Sequence, residues 1–232
     1  MPRVVHAGLS APVRVDVSTP ALDGEIIESF DSVYRGAEGD VARVPWHRDG
    51  ANAPLVWWLN HEAPGLVRPG GRVAVVGCGL GDDVAEIEGR GYDVVGIDVS
   101  SAAIEWARSR HPSCAERFIL GDALSPPTRL RSRFDLVVEA YTLQSLPVAL
   151  REPALVGIAS LMRPHGALLV ICRGRGEDEA LDVSQGPPYP ISRSELEGLA
   201  SSQGLAPIRE IEEINDGGSP PRRRLRVALR RA

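Results

Sequence analysis

The sequence predicts one α/β domain: a mostly parallel β-sheet with helices on both faces and an antiparallel hairpin at the C-terminal end. Short apolar runs alternate with helix-like segments from residue 72 to residue 204, which is typical of βα units. A glycine-rich turn directly follows the first apolar run. Two extended segments without a helix between them close the chain. The 232 residues, 43% apolar and 25% charged, suffice for one domain with a full core.

The segment before the sheet predicts an arm, two helices and a loop. Residues 1–23 are rich in Pro, Ser and Val without a period, and we expect a flexible arm, or a lid that orders on ligand binding. Apolar spacing predicts a helix over residues 24–34. The loop "ARVPWHRDGANAP" and the short helix "LVWWLNHEAP" follow, with at least one of Trp57 and Trp58 in the core. We therefore divide the chain into an arm, residues 1–23, and one domain, residues 24–232, in which residues 24–70 form helices and a lid and residues 71–232 the core.

The core segment predicts five strands that alternate with helices, then the hairpin. Serine caps and Pro or Gly stops bound three of the helices, "SSAAIEWARSRHP", "LREPALVGIASLMRPHG" and "SRSELEGLASSQG", and a fourth begins after Gly81. The predicted strands are Arg72–Gly77, Tyr92–Asp98, "RFILGDA", "FDLVVEA" and "ALLVICRG". The hairpin pairs "REIEEIND" with "RRLRVALRR" at one edge of the sheet.

Composition excludes several kinds of function. The net charge of −5 argues against a protein that coats nucleic acid or an anionic membrane. All 26 basic residues are arginine, so neither a lysine Schiff base nor a P-loop lysine is available. No apolar stretch could span a bilayer and no secretory h-region is evident. Cys78, Cys114 and Cys172 lack metal-ligand spacing, and we expect no metal and reduced thiols in a cytoplasmic protein.

The turn "VGCGLGDD" predicts the cofactor. Gly77, Gly79 and Gly81 give G-x-G-x-G rather than the dinucleotide pattern, and Asp82 and Asp83 follow. These carboxylates would repel a pyrophosphate at the start of the next helix. They suit S-adenosylmethionine, which has an ammonium and a sulfonium there. Cys78, between the glycines, is expected to pack rather than react.

Two further acids follow the next strands. Asp98 ends the second strand, near the spacing expected for a carboxylate that binds ribose hydroxyls; alternatively it only caps the following helix. Asp122 follows the third strand, where an adenine amino group could be recognised. With the adjacent Val99 and Ala123, these residues lie at the carboxyl ends of neighbouring strands, where open α/β sheets bind ligands.

These motifs resemble a known family. "VVGCGLGDD", "GIDVS", "GDA", "FDLVVEA" and "LMRPHGALLV" occur in the order found in class I S-adenosylmethionine-dependent methyltransferases. That resemblance implies a Rossmann-like, seven-stranded sheet over the core. "VPWHRDG", "EAYTLQSLP" and "GPPYPISRSEL" are similar to the thiopurine and thiol methyltransferase group. In that group the tryptophan, here Trp46, covers the methyl end of the cofactor, and the "GPPYPIS" segment lies beside the substrate.

The resemblance implies methyl transfer to the thiol of a small xenobiotic or natural-product molecule. The high Ala, Gly, Arg and Pro content is typical of a GC-rich bacterial genome, and among oligomeric states we favour a monomer. A thiol with a pKa of about 8.5 ionises without a strong base. Candidate helpers near the mouth are Glu139, which is also a candidate cofactor contact, Tyr141, His47, Arg48 and Asp49; Arg48 could instead pair with an acid on the substrate. O- or N-methylation and a non-catalytic cofactor-binding module remain alternatives.

The arginine-rich tail raises an RNA-binding alternative. Clustered arginines can contact phosphates. We favour an edge strand in which Leu225, Val227 and Leu229 face the core and Arg224 and Arg226 face solvent. The acidic segment "EIEEIND" beside it would neutralise the charge, and we expect no nucleic acid and no membrane as partner.

Overall fold

A computed structural model describes residues 21–184, 186–215 and 221–232. Most of the predicted arm therefore lies outside the described residues. Within them, the helices are α1 Gly24–Gly36, α2 Ala53–His61, α3 Asp82–Gly89, α4 Ser101–Arg110, α5 Val148–Ser160 and α6 Arg193–Ser202. The strands are β1 Arg72–Val76, β2 Asp93–Asp98, β3 Phe118–Leu120, β4 Phe134–Ala140, β5 Met162–Arg173, β6 Leu205–Pro207, β7 Glu212–Asn215 and β8 Arg223–Arg231.

The sheet has the predicted α/β architecture. Seven strands form the path β3-β2-β1-β4-β5-β8-β6, and β7 pairs with β8. The pairs among β1 to β5 are all parallel, whereas β8 is antiparallel to β5, β6 and β7. Of the residues described, none forms a helix long and apolar enough to cross a membrane.

Apolar side chains cover both faces of the sheet. One core cluster joins Val137 and Val170 to α5 and α6, and a second joins Val75 and Val138 to α2, α3 and α4. Trp58 belongs to the second cluster and is 1% exposed, while Trp57 is 43% exposed, which confirms that at least one of the two is core. The strands are buried on both faces because helices lie on both sides of a parallel sheet.

Capping residues fix the helix starts. Ser100 accepts a hydrogen bond from the backbone N–H of Ala103 at the start of α4, and Ser192 accepts one from Glu195 at the start of α6. Both serine caps were predicted from the sequence. The helix expected over residues 150–166 is shorter than predicted, because α5 ends at Ser160 and the chain enters β5 at Met162.

The C-terminal strand differs most from the prediction. β7 and β8 form the expected antiparallel pair, but β8 is not an edge strand: β5 pairs with one side of it, and β7 and the unpredicted β6 pair with the other. Arg224 and Arg226 are each 4% exposed rather than solvent-facing. Since both faces of β8 are covered, the arginines have contacts inside the protein. Arg226 pairs with Glu212, and Arg223 pairs with Glu213 at 2.7 Å, so the acidic strand neutralises the basic one, as predicted.

Candidate functional site

A cavity of about 500 Å³ opens at the carboxyl ends of the central strands, where open α/β sheets bind ligands. Eleven of the predicted site residues line it: Trp46, His47, Arg48, Gly77, Cys78, Gly79, Gly81, Asp98, Val99, Ala123 and Tyr141. Three others, Asp49, Asp122 and Glu139, are not among its lining residues. Pro187 and Pro188, from the "GPPYPIS" segment, also line it.

The glycine turn requires glycine for two reasons. Gly77, Gly79 and Gly81 have φ angles of 68°, 50° and 88°, in the left-handed region that other residues avoid. At Gly77 a Cβ would lie 2.1 Å from Oγ1 of Thr142, closer than any non-bonded contact. The hydroxyl of Thr142 donates to the carbonyl of Val76 at 3.0 Å, so it is held against the end of β1. Because the three glycines have no side chains, the backbone of the turn is exposed to the cavity.

Asp98 ties the end of β2 to the glycine turn. Its Oδ2 accepts a hydrogen bond from the backbone N–H of Gly79 at 2.8 Å, and its Oδ1 accepts one from Ser100 at 2.9 Å. Burial raises the pKa of this carboxyl, and the hydrogen bonds from Ser100, Gly79 and Val99 oppose that shift. The helix cap of α4 is Ser100 rather than Asp98, so the carboxylate is not explained as a simple cap.

Aromatic side chains of α1 and the following loop form one wall. Trp46 is 46% exposed, and its indole N–H donates to the hydroxyl of Tyr34 at 2.9 Å. The rings of Phe30 and Tyr34 meet it edge-on, with centroids 6.3 and 5.6 Å away. Asp31 anchors α1, because its Oδ1 accepts hydrogen bonds from Ser100 and from the backbone of Ala102 at 2.5 and 3.0 Å.

The two aspartates after the glycines, Asp82 and Asp83, differ in their partners and their surroundings. Asp82 pairs with Arg110 at 2.9 Å, which offsets its charge. Asp83 accepts the backbone N–H of Asn52 at 2.7 Å. Burial raises the pKa of Asp83 to about 6, against the lowering effect of that hydrogen bond. The repulsion that we predicted for a pyrophosphate therefore comes mainly from Asp83, which is still largely ionised at neutral pH.

Glu139 is inside the protein rather than at the mouth of the cavity. It is fully buried, and its Oε1 accepts the backbone N–H groups of Thr142 and Leu143 at 2.7 and 2.9 Å. Its Oε2 has no hydrogen-bond partner among the described residues. Burial raises the pKa of Glu139 to about 7, and the two N–H groups oppose the shift. This geometry differs from our expectation of an acid or base that reaches substrate, and it suits a carboxyl that fixes the turn after β4.

Tyr141 lies between two arginines. The guanidinium carbons of Arg48 and Arg224 are 5.5 and 5.3 Å from its ring centroid, within the range of cation–π contacts. Burial raises the pKa of its phenol, while the positive charges of Arg224 and Arg48 lower it. Tyr141 has a φ of 67°, and its hydroxyl is 3.4 Å from Oδ1 of Asn52. The left-handed residue thus lies directly after the end of β4, and Tyr141 and Thr142 line the cavity.

The remaining predicted residues have separate places. His47 lines the cavity, whereas the side chain of Asp49 is fully exposed and lies 3.8 Å from the His47 ring. Asp122 accepts backbone hydrogen bonds from Leu22 at 2.7 Å and from Leu124 at 2.8 Å. The carboxylate of Asp122 thus fixes Leu22, just before α1, next to the cavity. Gly121 and Ala123, the residues on either side of Asp122, line the cavity.

Sequence reasoning missed several lining residues. Asn52 precedes α2 and had a signal, since Asn before Ala-Pro is typical of a helix start. Others had no local signal, because they come from elements distant in the chain. These are Leu22, Tyr34, Gln144, Arg173, Arg222 and Arg224.

Comparison with known proteins supports one fold family. A family described as "Methyltransferase domain" matches residues 73–166. The Brassica oleracea protein named thiocyanate methyltransferase 1 is 28% identical over 174 residues, which cover 73% of this chain and 72% of that protein. The Legionella pneumophila (strain Corby) protein named thiopurine S-methyltransferase is 26% identical over 195 residues, covering 75% of this chain and 84% of that protein.

A solved structure shows the same fold over nearly the whole chain. It is the Burkholderia thailandensis 1,6-didemethyltoxoflavin-N1-methyltransferase with bound substrate and S-adenosylhomocysteine, at 20% identity and a TM-score of 0.70. The match covers 98% of this chain and 93% of that one. The glycine turn and Asp98 thus belong to a fold that carries a nucleoside-bearing ligand in that protein.

Proposed function

We propose that this chain, a class I S-adenosylmethionine-dependent methyltransferase similar to the thiol methyltransferase group, transfers methyl to the sulfur of a small-molecule thiol. The observation that carries the choice of sulfur is the position of Glu139. Burial raises the pKa of Glu139 to about 7, close to that of a general base, but its carboxyl is buried beneath the turn at Thr142. An acceptor that ionises with little help suits such a site, and a thiol is the common acceptor with that property.

The residues present fit the cofactor. The carboxyl of Asp98 lies at the glycine turn, where a charge-assisted hydrogen bond to ribose hydroxyls can form. Trp46 presents a half-exposed indole face to the cavity, and an aromatic face attracts a sulfonium. Asp83 adds negative charge on the same side. We propose that these residues hold the nucleoside and the cationic methionyl part.

The protein's part in the reaction is mainly alignment. When bound, the cofactor supplies a methyl group already activated on its sulfonium. The chain must hold the acceptor sulfur in line with that methyl and exclude water, and well-oriented groups can gain on the order of 7–11 kcal/mol from alignment. Tyr141, with Arg48 and Arg224 against its ring, offers a positively charged wall. Positive charge lowers the pKa of a nearby thiol and raises its thiolate fraction.

The test is a pH-rate profile across thiols of different acidity. If thiolate attack is correct, activity should rise with pH to a plateau, and its apparent pKa should follow that of the thiol. Glu139→Gln should keep most of the activity, because its side chain does not line the cavity. A profile that stays fixed across thiols, or loss of activity in that folded variant, would contradict the proposal.

Methylation of oxygen or nitrogen is the second candidate. His47 favours it, because its ring lines the cavity and could accept a proton from such an acceptor. A panel of phenols and amines assayed beside the thiols, with His47→Gln, separates the two. Higher kcat/KM for a phenol or amine, abolished by His47→Gln, would support the second candidate. Failure of every acceptor with retained cofactor binding would instead support a non-catalytic binding module.

We also propose that the protein works in a reducing compartment. Cys78, Cys114 and Cys172 are buried and unpaired in disulfides, as expected for a reducing compartment such as the bacterial cytoplasm. There the substrate would be a xenobiotic or natural-product thiol.

A further inference from the structure

Arginines from three separate parts of the chain line the same cavity. Arg48 comes from the loop before α2, Arg173 from the end of β5, and Arg222 and Arg224 from the start of the C-terminal strand. Arg48 and Arg224 also line a second cavity, of about 520 Å³, which shares Asn52 and Tyr141 with the first. Arg48 and Arg224 therefore lie where the two cavities meet, and Arg173 and Arg222 line the first cavity only.

Within the described part of the chain, Arg48 and Arg173 line the cavity without a carboxylate partner that would offset their charge. Several buried or half-buried arginines elsewhere do pair with carboxylates: Arg110 with Asp82, Arg175 with Glu195 and Arg226 with Glu212. Among the residues that the structure describes, neither Arg48 nor Arg173 has a carboxylate within salt-bridge distance. Both line a concave site, where guanidinium groups are suited to bidentate recognition of an oxyanion.

Three acids that line the cavity lie in or near the glycine turn, and each has a partner. Asp82 pairs with Arg110, Asp83 accepts from Asn52, and Asp98 accepts from Gly79. These carboxylates come from the turn, the first residues of α3 and the end of β2. The arginines come from β5, β8 and the loop before α2. The cavity wall thus carries both carboxylates, which already have partners within the protein, and guanidinium groups of Arg48 and Arg173, which have no carboxylate partner among the described residues.

We infer that the methyl acceptor carries an oxyanion, a carboxylate or a group of similar charge, which Arg48 and Arg173 bind. This inference rests on the proposed function, since it concerns the acceptor of that reaction. Two guanidinium groups give charge-assisted hydrogen bonds to one anion, and they orient it through their planar fork. The same charge also excludes cationic acceptors from the site.

The test uses three thiols of similar size: 4-mercaptophenylacetate, its carboxamide and 4-(2-aminoethyl)thiophenol. The methylene spacer separates the charge from the sulfur, so the thiols have similar acidity. We expect kcat/KM for the carboxylate to exceed that for the carboxamide by about tenfold or more, as one charge-assisted contact implies. The amine should be the poorest substrate.

Variants of single arginines test whether Arg48 and Arg173 cause the preference for the carboxylate. Arg173→Gln should lower kcat/KM for the carboxylate by about tenfold and leave the carboxamide within about twofold. Arg48→Gln should lower kcat/KM for both thiols, because it also removes positive charge from beside Tyr141, but the loss for the carboxylate should be the larger. Arg129→Gln removes the same unit of charge from an exposed residue outside both cavities, and should change neither. Equal loss for carboxylate and carboxamide, or an equal effect of Arg129→Gln, would overturn the inference.

A binding measurement keeps this inference separate from the proposed function. Calorimetry on the protein saturated with S-adenosylhomocysteine would compare 4-(methylthio)phenylacetate with its carboxamide, neither of which can react at sulfur. Selective binding of the carboxylate, lost in Arg173→Gln, supports the oxyanion site even if no thiol turns over. Equal binding of both compounds refutes it even if thiols are methylated.

Discussion

The backbone N–H of Gly79 donates to Oδ2 of Asp98 across 2.8 Å, so the acid at the end of β2 holds the glycine turn at the end of β1. The carboxyl of Asp98 therefore both stabilises the glycine turn and forms part of the cavity wall. This coupling determines what a substitution at Asp98 does.

Asp98→Ala should weaken S-adenosylhomocysteine binding by about ten- to a hundredfold, because it removes a charge-assisted hydrogen bond of roughly 1.5–3 kcal/mol. Asp98→Asn should lose less, since its amide oxygen can still accept the N–H of Gly79. Calorimetry on the folded variants measures both. Asp93→Ala, at the other end of the same strand, is the control. An unchanged dissociation constant in Asp98→Ala would mean that this carboxyl only holds the turn.

Trp46→Leu should weaken S-adenosylmethionine binding by about 2- to 30-fold, the range of a cation–π contact worth 0.5–2 kcal/mol. S-adenosylhomocysteine has a neutral thioether, so its affinity should fall less. The ratio of the two dissociation constants is the measurement. Trp57→Leu removes an indole of similar exposure, 43% against 46%, that does not line the first cavity, and should leave the ratio unchanged. An equal loss for both ligands in Trp46→Leu would argue for packing alone.

Glu139 should make stability depend on pH. Its pKa is raised to about 7 in the folded protein, against about 4.3 for an unfolded glutamate. The folded state therefore binds more protons between these values, and the free energy of unfolding should fall as pH rises from about 4.5 to about 7.

Glu139→Gln removes that dependence, because the amide stays neutral and its oxygen still accepts from Thr142 and Leu143. The variant should be more stable than the parent at pH 8, by on the order of 1–3 kcal/mol, with little difference at pH 5. Urea unfolding at both pH values measures this. Glu197→Gln, at an exposed carboxyl, should show no pH-dependent difference. A constant difference at pH 5 and pH 8 would exclude titration of Glu139 as the cause.

Gly77→Ala should be strongly destabilising, since a Cβ there would lie 2.1 Å from Oγ1 of Thr142 and the φ of 68° disfavours alanine. Thr142→Ala removes that oxygen, so the double variant should lose less stability than the two single losses added together. Thermal or urea unfolding of all four proteins gives the coupling, on the order of 0.5–3 kcal/mol for residues in contact. Strict additivity would show that backbone strain alone accounts for the loss.

The sequence by itself determined the features that depend on neighbouring residues. The βα alternation, the serine caps and the G-x-G-x-G turn before two acids are local patterns, and the strand order and glycine geometry agree with them. Asp98 could be placed at the cavity because strand ends in a parallel sheet meet at one edge.

Only the tertiary structure decided how distant residues meet. It buried Glu139 under the turn at Thr142, because side chains at the end of a central strand lie between two layers of helices. It enclosed β8 between β5 on one side and β6 and β7 on the other, which buried Arg224 beside Tyr141. It also brought Arg48 and Arg173, 125 residues apart in the chain, to the same cavity. Alternation along a strand specifies which residues share a face, but the elements packed against that face decide what those residues contact.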